Sequence, residues 1–412
     1  MKQLIGNAVV GQSGGPTAAI NATLAGVIRG VREDRSGSIG TLYGMRNGID
    51  GFLAERLVNL GALCDSEEKL NLLEHTPAAA LGSCRRKLPD PEKDPSVYAD
   101  LLALFRKYDI RYFFYIGGND SMDTVSRLSA YLADKDWEMR VVGVPKTIDN
   151  DLMGTDHTPG FGSAAKYIAV TVQEILRDCA VYTVPAVTIV EIMGRDAGWL
   201  TASAAAGGYV SGFFPDLIYL PERDFSTEQF LSDVRAAQAK HPNVVVAVSE
   251  GIRFADGHYV GEGAQSGAVD AFGHAYLAGA GKVLEQIVKQ EIGCKIRSVE
   301  LNLPQRCAAH LASGTDLAES VGVGRAAVAV AVAGVSGEMM SIERTGDAPY
   351  AVRFGHSAIA GIANRVRRVD DAYVNAVGNG MTDAFRTYIL PLIRGEAASV
   401  WENGIPKHFV VM

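Results

Sequence analysis

Cysteine is scarce in this chain: five residues in 412, at positions 64, 84, 179, 294 and 307, with no C-x-x-C pair and no histidine nearby at metal-ligand spacing. That spacing excludes a disulfide scaffold and a zinc site of the usual pattern, and it reads as reduced thiols in a cytoplasmic protein. Long apolar runs are also missing. No stretch reaches the length of a membrane span, and residues 1–7 lack the apolar core of a signal peptide before they pass into a strand. Excess positive charge is absent, since 39 Lys and Arg against 47 Asp and Glu leave a net charge of −8. A nucleic-acid or general polyanion surface is therefore disfavoured, and any phosphate site must be a local cluster of cations in an acidic chain. There is no low-complexity tract and no G-x-x-x-x-G-K-[ST] loop, so this is not a P-loop kinase.

What is present suits a large folded unit. A hydrophobic content of 48% over 412 residues supplies a full core for two domains or one large α/β unit with additions. Apolar β-rich runs alternate with segments of helical period, the pattern of parallel strands joined by crossover helices. Strands are expected at 4–10, 40–43, 112–116, 141–144, 187–192, 217–220 and 244–248. Helices are expected at 18–32, 98–107, 121–134, 162–178, 197–207, 226–240 and 275–290. Polar residues of ligand type fall just after these strands, at the carboxyl ends where open α/β sheets bind ligands.

Three segments carry the chemistry. In the first, Gly117 and Gly118 leave an apolar strand and bring bare backbone N–H groups toward an anion, while Asn119 and Asp120 offer oxygen ligands to a magnesium ion. In the second, VPKTIDND, one polar turn gathers Lys146, Thr147, Asp149, Asn150 and Asp151. A cation, a base and a metal-directed carboxylate stand there within a few residues, although from spacing alone Asp149 is equally a loop-capping aspartate. The third, EIMGRDAGWL, presents Met193, Gly194 and Arg195 after a strand. Near the N-terminus, Gly14 and Gly15 precede Pro16-Thr17 and a helix, an anion-binding turn or a bare tight turn. Gly160-x-Gly162-x-x-Ala165 and Gly322-x-Gly324-x-x-Ala327 match a dinucleotide fingerprint only weakly and are read as helix starts, which disfavours a nicotinamide-dependent dehydrogenase.

In this order, with Leu81-Gly82-Ser83-Cys84-Arg85, Pro221-Glu222, Arg297 and Gln305-Arg306, these motifs resemble the 6-phosphofructokinase family. Two positions point to its pyrophosphate-dependent branch. Asp120 and Lys146 stand where ATP-dependent members usually carry glycine. A carboxylate where a nucleotide α-phosphate would lie repels it, and a lysine supplies the compact charge that a small inorganic anion needs. The resemblance implies an α/β fold of two similar Rossmann-like lobes with mainly parallel sheets and an active site in the cleft between them. Residues 1–150 would form the donor lobe, with chain return from the C-terminal region, 151–330 the fructose 6-phosphate lobe, and 331–412 a C-terminal helical or packing extension.

The implied activity is magnesium-dependent phosphoryl transfer from pyrophosphate to fructose 6-phosphate, with an ATP-dependent enzyme or a non-catalytic sugar-phosphate-binding subunit as alternatives. Asp149 would be the base, assisted by Lys146, Thr147 and Arg85. Gly14, Gly15, Gly118, Asp120 and Lys146 would bind the donor, and Asn119 and Asp120 the metal. Thr147, Asp149, Met193, Gly194, Arg195, Glu222, Arg297 and Arg306 would bind the sugar phosphate. Arg297 would reach a neighbouring chain's site in a homodimer or homotetramer. Three departures stand out. Asn119 replaces a frequent acid, Ala186 a frequent arginine, and Leu303 a histidine of the bacterial ATP-dependent members.

Overall fold

The structure, a computed structural model, describes residues 4–262, 279–362 and 365–411. Its first lobe is built on a seven-stranded sheet. In chain order the strands are β1 (Gly6–Gln12), β2 (Ile39–Met45), β3 (Leu57–Asn59), β4 (Ile110–Gly117), β5 (Arg140–Pro145), and, much later, β10 (Glu338–Asp347) and β11 (Tyr350–Ala358). Across the sheet they run β11-β10-β5-β4-β1-β2-β3, with only β3 and β11 antiparallel to their neighbours. The second lobe holds β6 (Ala186–Ile192), β7 (Leu217–Tyr219), β8 (Asn243–Ser249) and β9 (Lys295–Glu300) in the all-parallel order β7-β8-β6-β9. A short ribbon of β12 (Trp401–Glu402) and β13 (Ile405–Pro406) lies near the end of the chain.

Each sheet buries both faces, which is why its central strands read as unbroken apolar runs. Successive residues point to opposite sides. Val9, Phe113, Val141 and Met339 enter one core of the first lobe, and Val10, Phe114, Val142 and Met340 the other. In the second lobe Val190, Ile192 and Ala247 face one way, and Ile189, Val246 and Val248 the other.

Several expectations need correcting. The segment 331–412 is not a helical extension. It supplies β10 and β11 to the first sheet, while its helix Asp383–Leu392 packs Phe385 and Ile389 into the second lobe's core. The helix Gly314–Val332, assigned above to the second lobe, packs along the helix Ile20–Glu33 of the first. Gly322 and Gly324 lie inside it rather than at a helix start. A Cβ on Gly324 would stand 2.3 Å from the Thr23 carbonyl oxygen, and one on Gly26 2.2 Å from that of Val321, so these glycines let two helices touch backbone to backbone. The expected helix 197–207 is broken into Trp199–Ala202, a 3-10 turn at Ser203–Ala205, and Gly208–Ser211. Of the expected helix 275–290, residues 275–278 lie outside the described residues, and the helix runs Ala280–Glu291.

Candidate active site

A cleft of about 460 Å³ opens where the carboxyl ends of β1, β4 and β5 face the loops after β6 and β8. It is lined by Gly14, Gly15, Arg85, Gly118, Asn119 and Asp120 from the first lobe, and by Lys146, Thr147, Asp149 and Asp151 from the turn after β5. Met193, Arg195 and Arg306 line it from the second lobe.

The cationic floor is held by backbone. Gly14, at φ 77°, donates its N–H to the Cys84 carbonyl at 3.1 Å, and the Ser83 hydroxyl donates to the Gly14 carbonyl at 2.7 Å. The loop carrying Arg85 is thereby stitched to the glycine turn. Lys146 donates its backbone N–H to Gly117 at 3.0 Å and its ammonium to the Gly15 carbonyl at 2.6 Å. A Cβ on Gly15 would lie 3.5 Å from an Arg306 guanidinium nitrogen and 4.0 Å from one of Arg85. Three cations thus converge on this turn. Burial pulls the Lys146 ammonium down to about 8, with Asp149 working against the shift and Arg85 and Arg306 adding to it.

The acidic side is the turn Asp149-Asn150-Asp151. Asn150 sits in the left-handed region at φ 55°, accepts the Thr158 N–H at 3.1 Å, and donates to the Tyr388 hydroxyl at 2.8 Å. The Thr147 hydroxyl accepts the Asp149 N–H at 3.1 Å. Burial pushes the Asp149 carboxyl up, against the pull of Lys146, Arg195 and the Thr147 hydroxyl. Asp151 is pushed up to about 7 by burial and by Asp149 beside it. Asn119 donates to Asp151 at 3.3 Å and leaves its own Oδ1 buried with no partner. Asp120, in the first turn of the helix Asn119–Ala133 where a negative charge is favoured, lies 3.6 Å from the Lys87 ammonium.

Gly194 shapes the second lobe's edge without lining the cleft. It adopts φ 133°, its N–H reaches Glu250 at 3.2 Å, and its carbonyl takes the Ser249 hydroxyl at 2.5 Å. Two predicted residues lie elsewhere. Glu222 is no part of the cleft lining, because its Oε1 accepts the N–H groups of Gly198 at 2.8 Å and Val369 at 2.9 Å and so clamps two loops. Arg297 stands exposed on the edge strand β9, away from the cleft, in a shallow depression shared with Tyr182 and Ala186.

Glu250 and Asp196 are charged cleft residues that the sequence reading missed. Burial pushes the Glu250 carboxyl up to about 8, with Asp149 adding to the shift. Its position directly after the apolar run of β8 was a usable signal, since that is where such sheets place ligand residues.

The sequence model of the phosphofructokinase family matches residues 7–330. The chain belongs to the phosphofructokinase family. It is 42% identical over 407 residues to the pyrophosphate–fructose 6-phosphate 1-phosphotransferase of Halomonas elongata, covering 97% of this chain and 95% of that one. The crystal structure of a pyrophosphate-dependent phosphofructokinase from Nitrosospira multiformis matches with a TM-score of 0.88 at 37% identity, over 98% of this chain and 96% of that one. An ATP-dependent 6-phosphofructokinase of Chloroflexus aurantiacus is more distant, at 30% identity over 389 residues, 92% of this chain and 97% of that one. Among the described residues no helix is long and apolar enough to cross a membrane.

Proposed function

We propose that this chain reversibly transfers a phosphoryl group from pyrophosphate to the 1-hydroxyl of fructose 6-phosphate, giving fructose 1,6-bisphosphate and phosphate. The observation that carries the reading is the buried Lys146 ammonium set against the Gly14–Gly15 turn, with Asp120 on the adjoining wall. A small, highly charged donor suits that arrangement. A nucleotide would bring its α-phosphate against the Asp120 carboxylate.

Phosphoryl transfer asks mainly for positioning and charge neutralisation. Lys146, Arg85 and Arg306 surround the Gly15 backbone, where the transferring group would sit. Asp149, made more basic by burial, takes the proton of the 1-hydroxyl as the new O–P bond forms and the bridging O–P bond of pyrophosphate breaks. Running in reverse, the protonated carboxyl returns that proton to the sugar oxygen. Arg195, Glu250 and Met193 are the acceptor side of the cleft. An intact Thr147–Asp149 turn argues against a catalytically silent subunit.

Magnesium fits the donor set. Asn119, Asp120 and Asp151 offer hard oxygen atoms, the buried Oδ1 of Asn119 has no other partner, and magnesium is commonly held by one or two carboxylates plus substrate phosphates. When bound, it supplies charge neutralisation on the phosphoryl oxygens.

We read the assembly as a homodimer or homotetramer with shared sites. Arg297 stands exposed outside its own cleft, with the half-buried Ala186 in the same depression, which is where a residue serving a neighbouring chain would stand. Five cysteines without a disulfide accord with a cytoplasmic enzyme. The deciding experiment compares initial velocities with pyrophosphate and with ATP at matched magnesium. The expected result is turnover with pyrophosphate and little with ATP; preference for ATP would reverse the donor assignment.

A further inference from the structure

His157 lies behind the cleft and takes no part in the chemistry above. Its ring is buried, 2% exposed, between two carboxylates: Nδ1 lies 2.8 Å from Asp156 Oδ2, and Nε2 lies 2.6 Å from Glu319 Oε2. A neutral imidazole has one N–H, so one of these contacts would set a lone pair against a carboxylate oxygen; two donors require the imidazolium. The surroundings balance that charge. Arg344 reaches Asp156 at 3.3 Å and Asp347 at 3.1 Å, the Tyr350 hydroxyl donates to Glu319 at 2.7 Å, and Asp316 beyond Glu319 is occupied by Ser163 and the Gly160 N–H. Burial pulls the His157 value down, while the hydrogen bonds and charges of Asp156 and Glu319 raise it, and the net direction is up.

This cluster touches the catalytic turn. The Tyr388 hydroxyl donates to the Asp156 carbonyl at 2.9 Å and receives the Asn150 amide at 2.8 Å, and Arg367 lies 3.3 Å from the same oxygen. Thr158, next to His157, donates its N–H to Asn150 Oδ1 and its hydroxyl to the Thr147 carbonyl at 2.8 Å. Asn150 is thus tied, directly and through Tyr388, to the two residues that flank the histidine.

We infer that His157, held as an imidazolium between Asp156 and Glu319, is a positioning residue for the Asp149 turn, acting through Thr158, Tyr388 and Asn150. The inference rests on the role given to Asp149. Displacing a base by about 1 Å costs on the order of 10²-fold in rate, so removal of the charge lowers kcat while the donor cations stay in place.

The test uses the full chain and whichever donor the wild-type protein turns over, so that an error in the donor assignment leaves it intact. His157→Gln is expected to lower kcat by about 10- to 100-fold with both KM values within about threefold. Asn150→Ala combined with His157→Gln should be no worse than Asn150→Ala alone, because both act on one turn. Losses that multiply, or an unchanged kcat in His157→Gln while Asp149→Asn is impaired, overturn the inference. Should His157→Gln fail to fold, nitrogen NMR of labelled wild-type protein decides. Two protonated ring nitrogens at pH 7.5 support the clamp, and one bare nitrogen overturns it.

Discussion

Asp149 and Lys146 divide the cleft by charge, and each makes its own prediction. Asp149→Asn keeps shape and removes the proton acceptor, so kcat should fall by about 10²–10⁴ in both reaction directions with little change in KM. Retention of more than about a third of the activity would remove Asp149 from the role. For Lys146, a value lowered from 10.5 to about 8 means the ammonium is present below that pH and lost above it. After correction for the ionisation of pyrophosphate itself, kcat/KM for pyrophosphate should decline above about pH 8, and Lys146→Met should lose that limb along with most of its affinity. A wild-type profile flat to pH 9.5 would contradict it. That Lys146, Thr147, Asp149 and Asp151 would lie together was legible from sequence because they fall within eight consecutive positions, and all four line the cleft. The two glutamates were not. Glu222 follows a proline in a promising motif yet gives its Oε1 to two backbone N–H groups and keeps its Oε2 buried without a hydrogen-bond partner, whereas Glu250 needed the end of β8 to be weighed as a position.

At the scale of elements, the glycine pair after β4 separates into two different requirements. A Cβ on Gly117 would stand 2.0 Å from the Ser121 Oγ and 2.4 Å from its Cβ, so Gly117→Ala must push away the start of the helix that presents Asn119 and Asp120. It should cost about 1–3 kcal/mol by denaturant midpoint and raise the KM for pyrophosphate. Gly118→Ala, whose nearest contact is an ordinary 3.6 Å to the Lys146 carbonyl, should leave the midpoint within about 1 kcal/mol of wild type, since a Cβ meets no clash there. Equal midpoints for the two variants would refute this account. Central strands such as β4 could be read from sequence because both faces are buried. The edge strand β9, KIRSVE, could not, since its half-exposed alternation lacks an apolar run. The strand β10 was hidden for a different reason: its pairing with β5 is a long-range fact that local pattern does not carry, and β11 joins the sheet only through β10.

For the whole molecule, the position of Arg297 outside its own cleft predicts complementation. Asp149→Asn and Arg297→Ala chains should each be nearly inactive alone, and co-expression should restore roughly a quarter of normal activity through mixed dimers with one intact site. Affinity-tagged mixed dimers without activity would show that Arg297 serves no neighbour. The late arrival of β10 has a further consequence, felt while the chain is still being made. β5 borders β4 on one side, and on the other it waits for Glu338 and Met339, roughly 190 residues downstream. At roughly 5–20 residues per second on the ribosome, the apolar edge of the first sheet stays open for about 10–40 s after it emerges, a template for pairing with other chains. Nascent chains stalled or truncated before residue 338 should therefore partition into insoluble material and bind holdase chaperones, while release of the full chain closes the edge.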